Sequence, residues 1–382
     1  MHEIPEGVLN SDQLRELRSE EVILSPDALD AKGSAFDLHL GTRGWILRGS
    51  IKQVAALRES VETVCERYGV PFQLDASGFV LKKGQVAVLE LREKINFSQH
   101  PWLNGEATGK SSIGRLDILT RLLVDGWPEY ERVPLGYQGP LYVEIAPISF
   151  DIRIYPKASL NQLRIHCGPR HELASLIGRR LLFKSHDGRE FCANAQDNHT
   201  LSLDISPSNT EGLRPVAFVL RQNLLKELDF QLKGSIDPGD YFEPVRSDDD
   251  ALDLAVNRFY ILRSIERLAL PENIAVTGMA YSENLGELRI HYAGFAHPWF
   301  GMDRADGRVG TPLIFEVRAH SFPIVLRNQE VFATIRFYKM SQPIPDCDKE
   351  QESNDYTNQE LKLSNYFAPR TDWPPPTTAT GT

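Results

Sequence analysis

Residues 144–166 read EIAPISFDIRIYPKASLNQLRIH, and residues 316–338 read EVRAHSFPIVLRNQEVFATIRFY. The two stretches align without a gap at an offset of 172 residues. Five positions are identical, and the identical pairs are Glu144/Glu316, Ser149/Ser321, Phe150/Phe322, Ile152/Ile324 and Arg164/Arg336. A repeat of this length predicts a duplicated fold.

The same offset continues outside these stretches. Leu116-Asp117-Ile118 corresponds to Leu288-Arg289-Ile290, and Pro140-Leu141 corresponds to Pro312-Leu313. Short runs rich in β-branched and aromatic residues predict strands at 141–145, 313–317 and 331–338. Predicted helices are fewer and cover residues 11–18, 51–68 and 169–182. The chain is therefore predicted to be mainly β, with two domains in tandem.

The composition excludes several classes of function. The 382-residue chain is 41% hydrophobic and 25% charged, which is typical of a soluble globular protein with two domains. Its formal net charge of -10 argues against binding to nucleic acid, which requires a basic face. The four cysteines are far apart, and neither a signal peptide nor a membrane-spanning apolar run is visible. We expect a cytoplasmic protein with no membrane partner.

One short segment combines the groups that bind a polyphosphate. Residues 104–121 read NGEATGKSSIGRLDILTR. Glycines, hydroxyls and fixed positive charges can surround an anion with hydrogen-bond donors. The segment does not match a P-loop, because three residues separate Gly105 from Gly109 where that motif has four. It predicts an anion-binding turn of another kind.

Three motifs follow one another in order around this segment. The first is Lys110-Ser111-Ser112-Ile113-Gly114-Arg115. The second is a hairpin that begins with Val124-Asp125-Gly126 and returns with Gly139, five residues before Glu144. The third is Tyr356-Thr357-Asn358-Gln359, followed by Lys362. Together they resemble the dCTP deaminase branch of the dUTPase-like family, whose C-terminal segment closes over bound triphosphate.

The resemblance implies a fold and an activity. The fold is a tandem of dUTPase-like distorted β-barrel (β-clip) domains, with a catalytic domain at 1–168, a degenerate repeat at 169–342 and a tail at 343–382. Segment 355–364 of the tail is expected to close the site. The implied assembly is a homo-oligomer, preferably a trimer, with sites between neighbouring subunits. The implied reaction is the hydrolytic deamination of dCTP to dUTP and ammonia.

No catalytic cofactor is expected for this reaction. Zinc deaminases use H-x-E and C-x-x-C segments to hold a metal-bound hydroxide, and the sequence has neither. A carboxylate with a suitable pKa can shuttle the protons instead. Mg²⁺ is expected to be bound only through the substrate triphosphate.

The resemblance also assigns roles to individual residues. Glu144 is expected to be the general base, Ser111 to hold the attacking water, and Arg115 to lie against Glu144. Asp125 is expected to help build the deoxyribose and base pocket, or simply to cap a turn. The expected phosphate contacts come from Lys110, Ser112, Tyr356, Gln359 and Lys362.

The second half lacks the phosphate element. The residues at the positions of Lys110, Ser111, Ser112 and Arg115 are Ser282, Glu283, Asn284 and Glu287. Two carboxylates would repel a polyphosphate in a semi-enclosed site, and Glu316 is expected to have lost its partners. The second domain is therefore predicted to support packing, and one nucleotide is predicted to bind per chain.

Two departures from the family pattern leave alternatives open. The hairpin between Asp125 and Gly139 is longer than usual, and Asp355 stands where a lysine often precedes the tail tyrosine. A dUTPase, or a bifunctional enzyme that also releases pyrophosphate, shares the phosphate element. A nucleotide-binding regulator without catalysis is the alternative from another class of function.

Overall fold

The fold is mainly β in the computed structural model, which describes residues 4–169, 182–184, 190–192, 200–206, 215–247, 249–279, 288–291, 294–302, 310–355 and 359–369. Helices within these ranges are short. None of them is long and apolar enough to cross a membrane. The mainly β class predicted from the sequence is confirmed.

Strands dominate the first half. Its helices are α1 (Ser11–Ser19), α2 (Val61–Tyr68) and α3 (Ser111–Gly114). Its strands are β1 (Gly7–Val8), β2 (Ile23–Leu24), β3 (Ala31–Lys32), β4 (Ala35–Leu47), β5 (Gly69–Gln73), β6 (Phe79–Leu81), β7 (Val86–Asn96), β8 (Leu103–Gly109), β9 (Ile118–Val124), β10 (Arg132–Val133), β11 (Gln138–Pro147), β12 (Ile152–Ile154) and β13 (Ser159–Cys167).

The second half follows a similar plan and ends in helix α4 (Asp346–Asp355). Its strands are β14 (Leu182–Lys184), β15 (Glu190–Cys192), β16 (Thr200–Ser202), β17 (Ala217–Leu220), β18 (Leu228–Asp229), β19 (Phe242–Val245), β20 (Ala251–Leu254), β21 (Phe259–Leu268), β22 (Ile274–Met279), β23 (Leu288–His291), β24 (Phe295–Ala296), β25 (Thr311–Ala319), β26 (Ile324–Arg327) and β27 (Val331–Lys339).

Strand pairing repeats between the halves. β11 pairs with β7 and β9, and its counterpart β25 pairs with β21 and β23. β13 pairs with β8, and β27 pairs with β22 in the same antiparallel sense. In the first half, β4 pairs with both β13 and β7, so the sheet curls into a nearly closed barrel. The predicted duplication of a dUTPase-like β fold is therefore confirmed.

The two halves share one hydrophobic core. Phe218, Phe242 and Phe367 belong to the same buried cluster as Leu38 and Phe150 of the first half. Strand β18 also pairs in parallel with β12, which joins the halves through backbone hydrogen bonds. Each fully buried large apolar side chain stabilises the folded state by about 1.5–3 kcal/mol. A second cluster lies within the second half alone.

A buried arginine of the first half forms hydrogen bonds with the second half. The Arg164 guanidinium donates hydrogen bonds to the Val276 and Ala296 carbonyl oxygens, each at 2.9 Å. It also lies 3.8 Å from the centre of the Phe295 ring. Its repeat counterpart Arg336 is exposed, so identical residues of the two repeats have different surroundings.

The three predicted helices differ in how well they agree with the structure. Helix 11–18 is confirmed, with Asn10 and Gln13 forming a capping box at its start. The predicted helix 51–68 is wrong over its first half, because Arg58 adopts φ 48° and Ser60 caps a new helix at Val61. Val54, in the non-helical part, is 55% exposed rather than packed. Most of the predicted helix 169–182 lies outside the described residues.

Candidate active site

A cleft of about 460 Å³ lies between the two halves of the chain. Six of the residues predicted from the sequence line it, namely Lys110, Ser111, Ser112, Arg115, Gln359 and Lys362. The structure therefore brings the first motif together with the tail. Tyr356, the remaining predicted tail contact, lies outside the described residues.

The first motif forms a tight turn at the end of a strand. Strand β8 ends at Gly109, where a Cβ atom would lie only 2.6 Å from the Thr120 hydroxyl oxygen, so the strand can approach β9 only with glycine there. The short helix α3 follows, and its apolar residue Ile113 is fully buried. This burial fixes the turn while Lys110, Ser111 and Ser112 face the cleft.

The cleft is positively charged within an acidic protein. Lys110 pairs with Asp37 of β4, and Asp30 is the other carboxylate of the lining. Against these two carboxylates stand five cationic side chains, Lys32, Lys110, Arg115, Lys233 and Lys362. A concave surface with an excess of one charge concentrates ligands of the opposite charge. The sequence analysis did not assign Lys32 and Lys233, which no motif marks.

Arg115 connects the first repeat to the tail and to the second repeat. Its guanidinium donates hydrogen bonds to Gln359 Oε1 at 3.1 Å and to the Lys362 carbonyl oxygen at 3.3 Å. Its Nε lies 3.8 Å from Oε1 of Glu316 on strand β25. Both Arg115 and Glu316 are buried. The expectation that Glu316 has lost its partners is therefore wrong, because the first repeat supplies its cation.

The carboxyl group of Glu316 has a perturbed pKa. Burial away from water raises its pKa to about 8, and the positive charge of Arg115 opposes that rise. A carboxyl group that titrates near neutral pH beside a ligand-sized cleft is a candidate acid–base catalyst. The signal available in the sequence was the identity of Glu316 with Glu144 in the repeat.

Glu144 occupies a different position within the chain, where its cationic partner is Arg121 rather than Arg115. In the sheet register Glu144 stands opposite Arg121 of β9, whose Nε donates to its carboxylate at 3.0 Å. The Ser50 hydroxyl and the Ile51 backbone N–H also donate to it, at 3.1 and 3.3 Å. These three residues supply its hydrogen bonds in the structure, and Glu144 does not line the cleft.

Asp125 also lies away from the cleft lining. Its carboxylate accepts a hydrogen bond from the Val61 backbone N–H at 2.7 Å, at the first residue of α2. The start of the lengthened hairpin thus contacts the first residue of α2. Of the two roles considered for Asp125, capping has a direct contact in the structure.

Comparisons with known proteins give two family-model matches. The model of the N-terminal domain of 2'-deoxycytidine 5'-triphosphate deaminase matches residues 5–169, and the model of its C-terminal domain matches residues 171–367. The chain belongs to the dCTP deaminase family. A search of curated proteins gives no significant match.

A solved structure of the dCTP deaminase family has the same fold. The 2'-deoxycytidine 5'-triphosphate deaminase from Agrobacterium tumefaciens superimposes with a TM-score of 0.78 at 28% sequence identity. The match covers 88% of this chain and 99% of the other. The duplicated layout is thus shared over nearly the full length of that deaminase.

The family's tail segment lies over the cleft of its own chain. The Ser364 hydroxyl donates to the Ser112 carbonyl oxygen at 2.6 Å. Glu360 accepts two hydrogen bonds from Arg267, both at 2.9 Å. The Tyr366 ring lies 5.4 Å from the Lys233 ammonium nitrogen. The tail is therefore held to both repeats around the dCTP deaminase motif.

One edge of the cleft comes from the segment around strand β24. A Cβ atom added to Gly294 would lie 3.3 Å from the Ser111 hydroxyl oxygen. His297 lines the cleft, and its Nδ1 accepts a hydrogen bond from the Ser34 backbone N–H at 3.2 Å. Burial, with the nearby charge of Arg164 second, holds the pKa of His297 well below its usual range. His297 is therefore a neutral hydrogen-bonding group at neutral pH.

Within the described ranges, no group of three or more His, Cys, Asp or Glu side chains is arranged to hold a metal ion.

Proposed function

We propose that the chain hydrolyses dCTP to dUTP and ammonia in the cleft between its two repeats, as a supplier of dUTP in pyrimidine deoxynucleotide biosynthesis. The observation that carries the proposal is the meeting of three groups at one cleft. The phosphate-binding turn of the first repeat and the tail line the cleft, and the buried Glu316 of the second repeat lies behind the lining, 3.8 Å from Arg115. Family membership and the match to a deaminase structure support the substrate class.

The triphosphate binds at the cationic side of the cleft. Lys110, Ser112 and Lys362 contact the phosphates, joined by Tyr356 and Gln359 of the tail. Lys32 and Lys233 line the same cleft and add positive charge. Mg²⁺ accompanies the triphosphate and neutralises part of its charge. These charged contacts make binding of the nucleotide sensitive to ionic strength.

We assign the general base to Glu316 rather than to Glu144. Glu316 is buried beside Arg115 at the cleft, whereas Glu144 is hydrogen-bonded to Arg121 and Ser50 elsewhere. Glu316 accepts a proton from the attacking water as the water oxygen bonds to C4 of cytosine. Glu316 delivers this proton to N3 of the cytosine ring and then transfers the remaining proton of the C4 hydroxyl to the N4 amino group, so that the C4–N4 bond breaks, the C4 carbonyl forms and ammonia leaves. Positioned acid–base catalysis of this kind contributes roughly 10²–10⁴-fold.

Arg115 and Ser111 support this chemistry from opposite sides. The charge of Arg115 favours the ionised form of Glu316, which is the form that accepts a proton. Its hydrogen bonds to the tail hold the guanidinium in place. Ser111, beside the backbone of Gly294, positions the attacking water.

One site per chain follows from the charges of the repeats. A second, equivalent site would combine Glu144 with the element containing Glu283 and Glu287. Carboxylates at those positions repel a triphosphate. The second repeat therefore contributes its glutamate to the first repeat's site and binds no nucleotide of its own.

Product analysis tests the proposed reaction. Metal-stripped protein is supplied with Mg²⁺ and dCTP, and both ammonia release and nucleotide identity are measured. We expect dUTP and ammonia in equal amounts. The product dUMP with pyrophosphate would identify a bifunctional enzyme, and cleavage of dUTP with no change in dCTP would identify a dUTPase. Tight nucleotide binding without any product would identify a regulator.

A further inference from the structure

Two ion pairs lie side by side where the repeats meet. The turn after α3 carries Arg115 and, two residues later, Asp117, while strand β25 carries Glu316 and Arg318. Arg115 lies against Glu316, and Asp117 pairs with Arg318. Glu316 and Arg318 point to the same face of the strand, because side chains alternate along it. Each repeat thus contributes one cation and one anion to the junction.

Asp117 is a charged residue that lies in the protein interior. It is completely buried, and its carboxylate accepts hydrogen bonds from the Ser149 hydroxyl and from Arg318 Nη2. Arg318 Nη2 also donates to the Ser149 hydroxyl oxygen at 3.1 Å, and its Nη1 donates to the Asn257 carbonyl oxygen. Arg318 is therefore held on the Asp117 side by several hydrogen bonds.

We propose that Asp117 is a positioning residue that holds Arg318 away from Glu316, so that Arg115 is the cation beside the base. The inference rests on the proposed role of Glu316. Residues two apart on a strand are separated by about 7 Å, a span that a flexible arginine side chain can bridge. A second cation on Glu316 would stabilise its carboxylate and weaken it as a proton acceptor.

The surroundings of Glu316 make Arg318 the decisive neighbour. Opposite Glu316 in the sheet stand Ile261 of β21 and His291 of β23. Among the side chains that the structure describes, Arg115 and Asp117 from the turn are the charged groups that act on it, and Arg318 lies two residues along its own strand. Asp117 raises the pKa of Glu316, and this contribution adds to that of burial. Release of Arg318 from Asp117 would lower the pKa of Glu316.

The arrangement is specific to this junction. At the repeat-equivalent positions, Arg115 corresponds to Glu287 and Asp117 corresponds to Arg289. Arg318 corresponds to Ala146, although Glu316 corresponds to Glu144. The equivalent positions of the other repeat would set Glu287 against Glu144 and Arg289 against Ala146, so the same two ion pairs cannot form there. The Asp117–Arg318 pair accompanies only the junction that contains the cationic cleft.

The test uses the pH dependence of kcat/KM in the full-length protein. Asp117→Asn removes the negative charge, and asparagine tolerates the positive φ of 57° at this position. Arg318 is then without its counter-ion and shifts towards Glu316. We expect the acidic limb of the profile to move to lower pH by about one to two units. In the matched double variant Asp117→Asn/Arg318→Met, the limb is expected to return close to its wild-type position.

Two further variants make the result decisive. Ser149→Ala weakens the Asp117–Arg318 contact without changing a charge. Its acidic limb is expected to move to lower pH by less than that of Asp117→Asn. This variant keeps the inference testable if Asp117→Asn fails to fold. An unmoved or raised limb in the folded variants overturns the inference, and so does a limb that stays lowered in the double variant, because loss of the Asp117 charge alone would then explain the shift. The turnover of dCTP by Glu316→Gln is measured separately. If this variant retains turnover, Glu316 is not the general base. If it loses turnover while the limb of Asp117→Asn does not move, only the positioning role is wrong.

Discussion

Two identical glutamates show how local contacts decide a residue's chemistry. Glu144 and Glu316 occupy equivalent strands, β11 and β25. Arg121, Ser50 and Ile51 supply Glu144 with hydrogen bonds, so its lone pairs are already engaged. Glu316 has a single cation at 3.8 Å and a pKa raised to about 8. Of the two glutamates, Glu316 is the one that lies against Arg115, a residue of the cleft lining.

The pH profile of the wild-type enzyme follows from this pKa. A general base acts in its ionised form, so kcat/KM is expected to fall about tenfold per pH unit below a pKa of about 8 and to level off above it. Initial rates of ammonia release from dCTP between pH 5 and 9 measure the limb. A plateau that extends down to pH 5 would contradict the assignment.

Among the elements, the tail is the one whose position matters most for the site. Its motif was visible in the sequence, and Gln359 and Lys362 do line the cleft. Glu360 carried no sequence signal, yet it forms the paired hydrogen bonds to Arg267. Pattern matching finds residues that contact a ligand, but the ion pair that docks a segment depends on a partner distant in sequence.

Glu360→Gln is expected to loosen the tail and weaken substrate binding. The substitution removes the charge that Arg267 and Arg263 share, and Arg267 is a buried cation. A charge-assisted hydrogen bond contributes about 1.5–3 kcal/mol, so we expect KM for dCTP to rise about tenfold or more. Steady-state kinetics measure the change.

The matched control for the tail variant is Glu350→Gln on helix α4. Glu350 is exposed, and its neutralisation is expected to leave KM within about twofold of the wild-type value. An equal rise in KM for both variants would mean that net charge, rather than docking of the tail, controls binding.

Helix α2 shows a limit of sequence prediction at the same scale. Apolar spacing from residue 51 suggested one long helix, but the chain forms only a single 3-10 turn at residues 55–57 and begins an α-helix at Val61. Ser60 supplies a cap and Asp125 accepts the Val61 N–H, so a partner from the hairpin helps to fix the start. Val54 and Leu57 before it remain exposed, which periodicity alone does not reveal.

For the whole molecule, the repeat predicted the fold but not the way in which the halves meet. Equivalent positions identify matching strands, and the pairings of β11 and β25 agree. An internal alignment cannot show which surface of one repeat covers the other. The sequence analysis therefore combined Glu144 and Arg115 within one repeat, whereas Arg115 lies against Glu316 of the other.

Arg164→Met tests the junction of the halves. The variant would leave the Val276 and Ala296 carbonyl oxygens and the Thr277 hydroxyl without a buried donor. We expect the free energy of unfolding to fall by about 3 kcal/mol. Urea denaturation measures it, with the exposed repeat counterpart Arg336→Met as the control; Arg336 acts on the Glu106 carboxylate from a solvent-exposed position, so a loss of at most about 1 kcal/mol is expected. Equal losses in the two variants would contradict the role assigned to Arg164.

The most direct measurement is dCTP turnover by Glu316→Gln and Glu144→Gln, with nucleotide binding and thermal stability measured on both proteins. A site assembled between the repeats predicts that Glu316→Gln binds dCTP but loses roughly 10²–10⁴-fold in kcat. It also predicts that Glu144→Gln keeps kcat within about tenfold of the wild type. Full activity in Glu316→Gln, together with loss of activity in a folded Glu144→Gln, would contradict the account.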